Sequence, residues 1–264
     1  MRKPPLANKQ LGQHWLTHAA SLDAIAEIAE LNPKDVVLEI GPGLGTLTML
    51  LVRGAKQVIA VELDEALVTN LIGVYKSLPE YESKLRVVQA DIRKFDLTQL
   101  PPGYKIVANI PYYLTAYLLR LLTDTGHKPT LAVLLVQKEV AVRVAAQAGK
   151  MSFISVAVQF YYHVSLSQVI SAKLFVPPPK VDSQVLILRC RTKPLYPDVD
   201  VRQFFHLVKA GFSNRRKTLL NSLSGGLHLS KELTGEMLKH TKIKPNARAQ
   251  ELSLDDWHRL YKAS

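Results

Sequence analysis

Between residues 36 and 137 the chain repeats one pattern. Short, mostly apolar runs (Val36–Ile40, Gln57–Leu63, Leu85–Ala90, Lys105–Ile110 and Leu131–Gln137) alternate with helix-period segments (Thr46–Arg53, Glu65–Tyr75, Thr115–Thr123 and Lys138–Ala148). Runs of this length are too short for buried helices and read as strands covered on both faces. A strand, a helix and a parallel strand in succession form a right-handed crossover, so the repeat predicts a doubly wound α/β sheet. A further helical stretch, Ala19–Leu31, precedes the first strand and stops at Asn32-Pro33. Phe153–Phe160 and Gln184–Arg189 read as the last strands of the sheet, with an antiparallel edge. The segment Thr192–Asp200, with Pro194 and Pro197, reads as a linker. The expected domains are therefore residues 1–191, carrying the sheet, and a small, helical, basic domain over 195–264.

Charge narrows the kind of partner. Lys and Arg total 34 against 22 acids, a net charge of +12, which favours a polyanion bound with a steep salt dependence; a merely solubilising charge is the alternative. The single cysteine, Cys190, excludes an internal disulfide and a cysteine-rich metal site, and fits a reducing compartment, the cytoplasm. Leu131–Val136 is far too short to span a bilayer. Met1–Gln10 is basic and proline-containing and does not read as a signal peptide. Without heptads or a long apolar stripe, the chain is expected to be a monomer.

The first strand runs directly into Gly41-Pro42-Gly43-Leu44-Gly45-Thr46. Glycines there permit a tight turn and a close approach of backbone to ligand, with the next helix starting at once. The second strand ends in Glu62-Leu63, and an acid about 20 residues past the glycines suits a ribose diol. The third ends in Asp91-Ile92. Asp91 can accept a hydrogen bond from an adenine amine, and can equally cap a turn. Ligands of open α/β sheets bind outside the carboxyl ends of the strands, so these residues predict a nucleotide-like cofactor. A dehydrogenase would share them; the fourth strand separates the two.

That strand ends Asn109-Ile110-Pro111-Tyr112. The tetrapeptide resembles the [Asn/Asp/Ser]-x-Pro-[Tyr/Phe] motif of enzymes that methylate the amino groups of adenine, cytosine or glutamine, and without the upstream motifs it would read as a turn. The lone pair of an aromatic amine is delocalised into the ring, so the amine is a poor nucleophile. Two acceptors, the Asn109 side-chain oxygen and a carbonyl of Ile110–Pro111, can hold its two hydrogens and turn the lone pair toward an incoming methyl group. Tyr112 can stack on the base.

The resemblance extends over nearly the whole chain, to the ribosomal RNA adenine dimethyltransferases. Gly12-Gln13-His14-Trp15-Leu16 resembles their Gly-Gln-Asn-Phe-Leu opening, and Asn109–Thr115 their Asn-Leu-Pro-Tyr-Asn-Ile-Ser. Phe175–Ser183 is similar to their Phe-x-Pro-x-Pro-Lys-Val-Asp-Ser, and Phe212–Leu223 to the basic helix of their C-terminal domain. The branch is the KsgA type, which dimethylates two adjacent adenines near the 3′ end of small-subunit ribosomal RNA. The resemblance implies a Rossmann-like sheet binding S-adenosyl-L-methionine, with S-adenosyl-L-homocysteine as product. It puts His14 and Leu16 where the N-terminal segment closes over the cofactor, Gly41 at the methionine end, Glu62 on the ribose, Asp91 on the cofactor's adenine and Asn109 at the reaction centre. It also pairs Phe175 with Tyr112 around a flipped adenine; a core phenylalanine is the alternative. His14-Trp15 and Tyr113 depart from the family's Asn-Phe and Asn, and Lys150–Phe153 lacks its glycine-containing turn.

A base inside a duplex cannot reach such a pocket and must be extruded or taken from a loop. Arg215, Arg216 and Lys217 are the expected RNA phosphate contacts, since no acid lies between Asp200 and Glu232 to pair with them. His127 and His163 have no ligand-spaced neighbours, and methyl transfer from a sulfonium needs no metal. The competing readings are a resistance-type methyltransferase of large-subunit RNA, an assembly or transcription factor that keeps the fold without turnover, and a dehydrogenase.

Overall fold

A computed structural model describes residues 7–8, 11–78, 81, 83–214 and 216–264. The chain forms two compact units, one from residues up to Ala141 with Val164–Cys190, the other from Val142–His163 with Arg191–Ser264.

The first unit carries β1 (Trp15–Leu16), α1 (Ala19–Ile28), β2 (Val36–Ile40), α2 (Thr46–Gly54), β3 (Gln57–Glu62), α3 (Glu65–Lys76), β4 (Leu85–Gln89), β5 (Lys105–Asn109), α4 (Thr115–Asp124) and β6 (Leu131–Gln137). After α5 (Lys138–Val144) and α6 (Phe153–Tyr161) come β7 (Tyr162–Ile170), β8 (Phe175–Val176) and β9 (Ser183–Cys190). The main sheet has seven strands in the order β4-β3-β2-β5-β6-β9-β7. Strands β2 to β6 pair in parallel, and β9 runs antiparallel to β6 from Leu131↔Arg189 to Gln137↔Ser183. The apolar runs have the cause expected of them: six of the seven residues of β6 and four of the five of β2 are buried. The chain winds from β2 outward to β3 and β4, then restarts on the other side of β2 with β5. Neighbouring loops therefore diverge between β2 and β5, and that divergence opens a crevice at their carboxyl ends.

Two expectations are corrected. Phe153–Phe160 is not a strand but the helix α6. Its Ser152 side chain caps the Ser155 N–H while Ser155 reaches back to the Ser152 N–H, and this local pairing prevails over the β-branched content. The strand lies just beyond, in β7, whose half-exposed residues carry no apolar run because it closes the edge of the sheet. Phe212–Leu223 is likewise not one basic helix. Here α7 (Val201–Phe212) stops at Phe212 and α8 (Leu219–Leu227) starts anew with Thr218 as its cap. Between them Lys217 N–H closes a turn on Asn214 O at 3.1 Å. Ser, Asn and Thr favour turns and caps over helix interiors. Arg216 and Lys217 are exposed in this turn; Arg215 lies outside the described residues. Two helices also end early, α1 at Ile28 and α5 at Val144.

The second unit adds α9 (Lys231–His240) and α10 (Leu254–Lys262). Its core holds Phe160, Phe204 and Trp257, each 0% exposed, with the Phe160 and Phe204 rings stacked at 5.2 Å. That packing is what draws 142–163 into this unit.

Candidate active site

The residues expected to bind a cofactor converge on one cleft of about 980 Å³, its open mouth included, and all but Gly45 line it. The loop after β2 needs its glycines: Gly41, Gly43 and Gly45 have φ of 66°, 58° and 80°, a region that side chains disfavour. Gly45 caps α2 in the left-handed conformation, and a Cβ on it would lie 2.5 Å from Leu71 Cδ1. Glu62, at the end of β3 and 7% exposed, is fixed by main-chain amides. Its Oε2 accepts from Gly43 N–H at 3.2 Å, and its Oε1 accepts from Leu63 N–H at 2.8 Å and Asp64 N–H at 3.0 Å. Burial pushes its carboxyl above the usual range and the three amides pull the other way. The Leu63 side chain stands exposed, and Ile92 is buried.

Asp91 caps a short 3-10 turn and pairs with Arg93. It accepts from the Arg93 main-chain N–H at 2.9 Å and from the guanidinium at 2.6 Å, and those hydrogen bonds hold its carboxyl below the usual range.

On the other wall, β5 delivers Asn109 to the cleft. The approach of the N-terminal segment follows from strand pairing. β1 runs antiparallel to β8 with Trp15 opposite Val176 and Leu16 opposite Phe175, and Thr17 N–H donates to Leu174 O. Alternate residues of such a pair turn their polar backbone toward and away from the partner. In this register His14 and Leu16 turn theirs away from β8. There the Asn109 Nδ2 donates to His14 O at 3.1 Å and the Thr46 hydroxyl donates to Leu16 O at 3.2 Å. Tyr112 lies behind Pro111 in a 3-10 turn, its hydroxyl 2.9 Å from Ser183 Oγ on β9; burial raises its phenol. Phe175 lines the same cleft but is 2% exposed and packs in the main core.

Three residues that the sequence motifs contain received no role from sequence reasoning. Glu39, 1% exposed on β2, lines the cleft, and its Oε2 has no hydrogen-bond partner among the described residues. Burial raises its carboxyl to about 8, with the Thr48 hydroxyl opposing and Glu62 adding to the effect. An acid inside an apolar strand was the available signal. Gln13 Nε2 donates to Asp64 Oδ2 at 3.0 Å, and the Trp15 ring packs where a Gly43 Cβ would lie, 3.0 Å away. Both residues are in the opening motif.

A family model described as "Ribosomal RNA adenine dimethylase" matches residues 5–264. A protein named ribosomal RNA small subunit methyltransferase A from Dehalococcoides mccartyi is 43% identical over 258 residues, covering 96% of this chain and 87% of that one. Among solved structures, a dimethyladenosine transferase from Plasmodium falciparum superposes with a TM-score of 0.78 at 27% identity, covering 94% of this chain and 96% of the other. The 23S rRNA methyltransferase ErmE superposes with a TM-score of 0.76 at 26% identity, covering 94% and 98%. The chain belongs to the ribosomal RNA adenine dimethylase family.

Proposed function

We propose that this enzyme transfers methyl groups from S-adenosylmethionine to the exocyclic amine of adenine in small-subunit ribosomal RNA, dimethylating two adjacent adenines near its 3′ end. The observation that carries the reading is the hydrogen bond from Asn109 Nδ2 to His14 O. A carbonyl oxygen only accepts, so this bond sets which way the Asn109 amide faces and leaves its Oδ1 as an acceptor. Pro111 C=O already accepts from Leu114 N–H at 2.9 Å, so we take Ile110 C=O as the second acceptor. Two acceptors match the two hydrogens of an adenine amine. As the nitrogen takes the methyl group it becomes positive, and both oxygens stabilise that charge before a proton leaves. Tyr112, braced at its hydroxyl by Ser183, would hold the extruded base by stacking.

The cleft suits the cofactor. When bound, S-adenosylmethionine supplies a methyl group on a positively charged sulfur. The buried Glu39 carboxyl has one oxygen without a hydrogen-bond partner among the described residues, which a polar group of the cofactor could meet. Glu62 accepts three amide bonds of the roughly four that a carboxylate can take, leaving room for a ribose hydroxyl. Asp91 would take the adenine amine alongside Arg93, with Gly41 and Gly43 allowing the methionine end to approach the backbone. The RNA of the assembling small subunit is the partner, in the cytoplasm, held through Arg215, Arg216 and Lys217. The small-subunit target is favoured over the large-subunit one by 43% identity against 26%.

The test is mass spectrometry of ribosomal RNA from cells with and without the gene, complemented by wild type or Asn109→Ala. Dimethyladenosine should depend on the wild-type copy. Equal amounts in all strains would overturn the reading.

A further inference from the structure

The side chain of His14 is engaged away from the cofactor loop. Its Nδ1 lies 2.7 Å from Pro177 O, and its ring stacks on Tyr112 with centroids 6.0 Å apart and planes inclined by 28°. Its own carbonyl accepts from Asn109 Nδ2. One residue thus touches the amine clamp, the base-stacking ring and the proline-rich segment after β8. Tyr112 is held at its hydroxyl by Ser183, itself 0% exposed, but a hydroxyl contact alone leaves the ring free to tilt about that end. The offset imidazole, inclined by 28° to the Tyr112 ring, limits that tilt once it is itself held, and the bond to Pro177 O holds it.

We propose that His14 is a positioning residue for the target base: its Nδ1–H, donated to Pro177 O, locks the imidazole against Tyr112 and so sets the plane in which the adenine stacks beside Asn109. This rests on the reading of Tyr112 and Asn109 as base-stacking ring and amine clamp. Since Pro177 O can only accept, Nδ1 carries the hydrogen whatever the state of Nε2. The structural role of His14 therefore depends on a donor at the Nδ1 position, which an asparagine side chain can also supply.

The experiment compares wild type, His14→Ala, His14→Asn and, as a control, Asn109→Ala. It measures S-adenosylmethionine affinity by calorimetry, kcat and KM on small-subunit RNA, and the ring-nitrogen NMR signals of histidine in the free protein. His14→Ala should lower kcat by between about ten- and a hundredfold, as expected when a reacting group is slightly misplaced, with cofactor affinity within about twofold of wild type. His14→Asn, which keeps a donor for Pro177 O but lacks the ring, should recover only part of that loss and fall between His14→Ala and wild type. In wild type the His14 Nδ1 signal should be that of a protonated nitrogen. The proposal is overturned if cofactor affinity falls in parallel with kcat in His14→Ala, if His14→Asn is as slow as His14→Ala, or if Nδ1 of the folded protein is unprotonated. The NMR signal stands even if His14→Ala folds poorly. Full activity in Asn109→Ala would instead sink the amine-clamp reading.

Discussion

Replacing Glu39 by glutamine should stabilise the free protein, increasingly so as the pH rises. Glu39 is 1% exposed, and burial lifts its carboxyl from 4.5 to about 8. The unfolded chain releases this proton near 4.5 while the folded chain keeps it to about 8. Between those values the folded state binds more protons, so stability falls with rising pH by about 1.4 kcal/mol per unit. The contribution is intact below 4.5 and lost as the pH climbs through the interval. At pH 7 the deficit against a neutral isostere is about 3 kcal/mol, a large share of the roughly 5–15 kcal/mol that hold a domain folded. Urea unfolding of both proteins from pH 5 to 8 measures it. The variant's advantage should be small at pH 5 and widen steadily, and saturating S-adenosylmethionine, a cation, should narrow it by favouring the ionised carboxylate. A difference that stays flat with pH, or a wild type that gains on the variant, would refute the reasoning.

Two further outcomes test other parts of the molecule. Reversing Arg216 and Lys217, both exposed, to glutamate should weaken RNA binding and reduce the slope of log affinity against log salt by roughly 0.7–0.9 per lost phosphate contact; cofactor affinity measured by calorimetry should not change. In the second unit, Gly211→Ala would put a Cβ 2.3 Å from Trp257 Cη2. Since Trp257 is fully buried, overpacking should outweigh the better helix propensity of alanine and lower stability by about 1–3 kcal/mol in thermal melts.

What could be read in the sequence follows from where each determinant acts. Strands β2 to β6 were legible because burial on both faces leaves an apolar run that needs no partner to be recognised. Helix α6 was not, because Ile154, Val156 and Val158 alternate like a strand, and the Ser152–Ser155 pair that nucleates it lacks the usual Glu or Gln of a capping box. Edge strand β7 escaped for the opposite reason, since half-exposed residues carry little hydropathy signal. The site was legible where chemistry sits at strand ends, as with the glycine loop, Glu62 and Asn109. Glu39 received no role because it stands inside a strand and reads as one polar position among apolar ones. His14 and Pro177 are 163 residues apart, and no local pattern could have joined them.

The charge distribution separates the two ligands. The chain carries a net charge of +12, yet among the described residues lining the cleft there is no lysine or arginine, while Glu39, Glu62 and Asp91 all face it. These acids sit at or beside the carboxyl ends of three adjacent strands, β2, β3 and β4. In the free protein burial keeps Glu39 protonated up to about 8, which spares the fold an unpaired buried charge. A cation bound beside Glu39 would favour its ionised form. On the proposed function, a neutral base would meet this acidic wall at lower cost than a phosphate would.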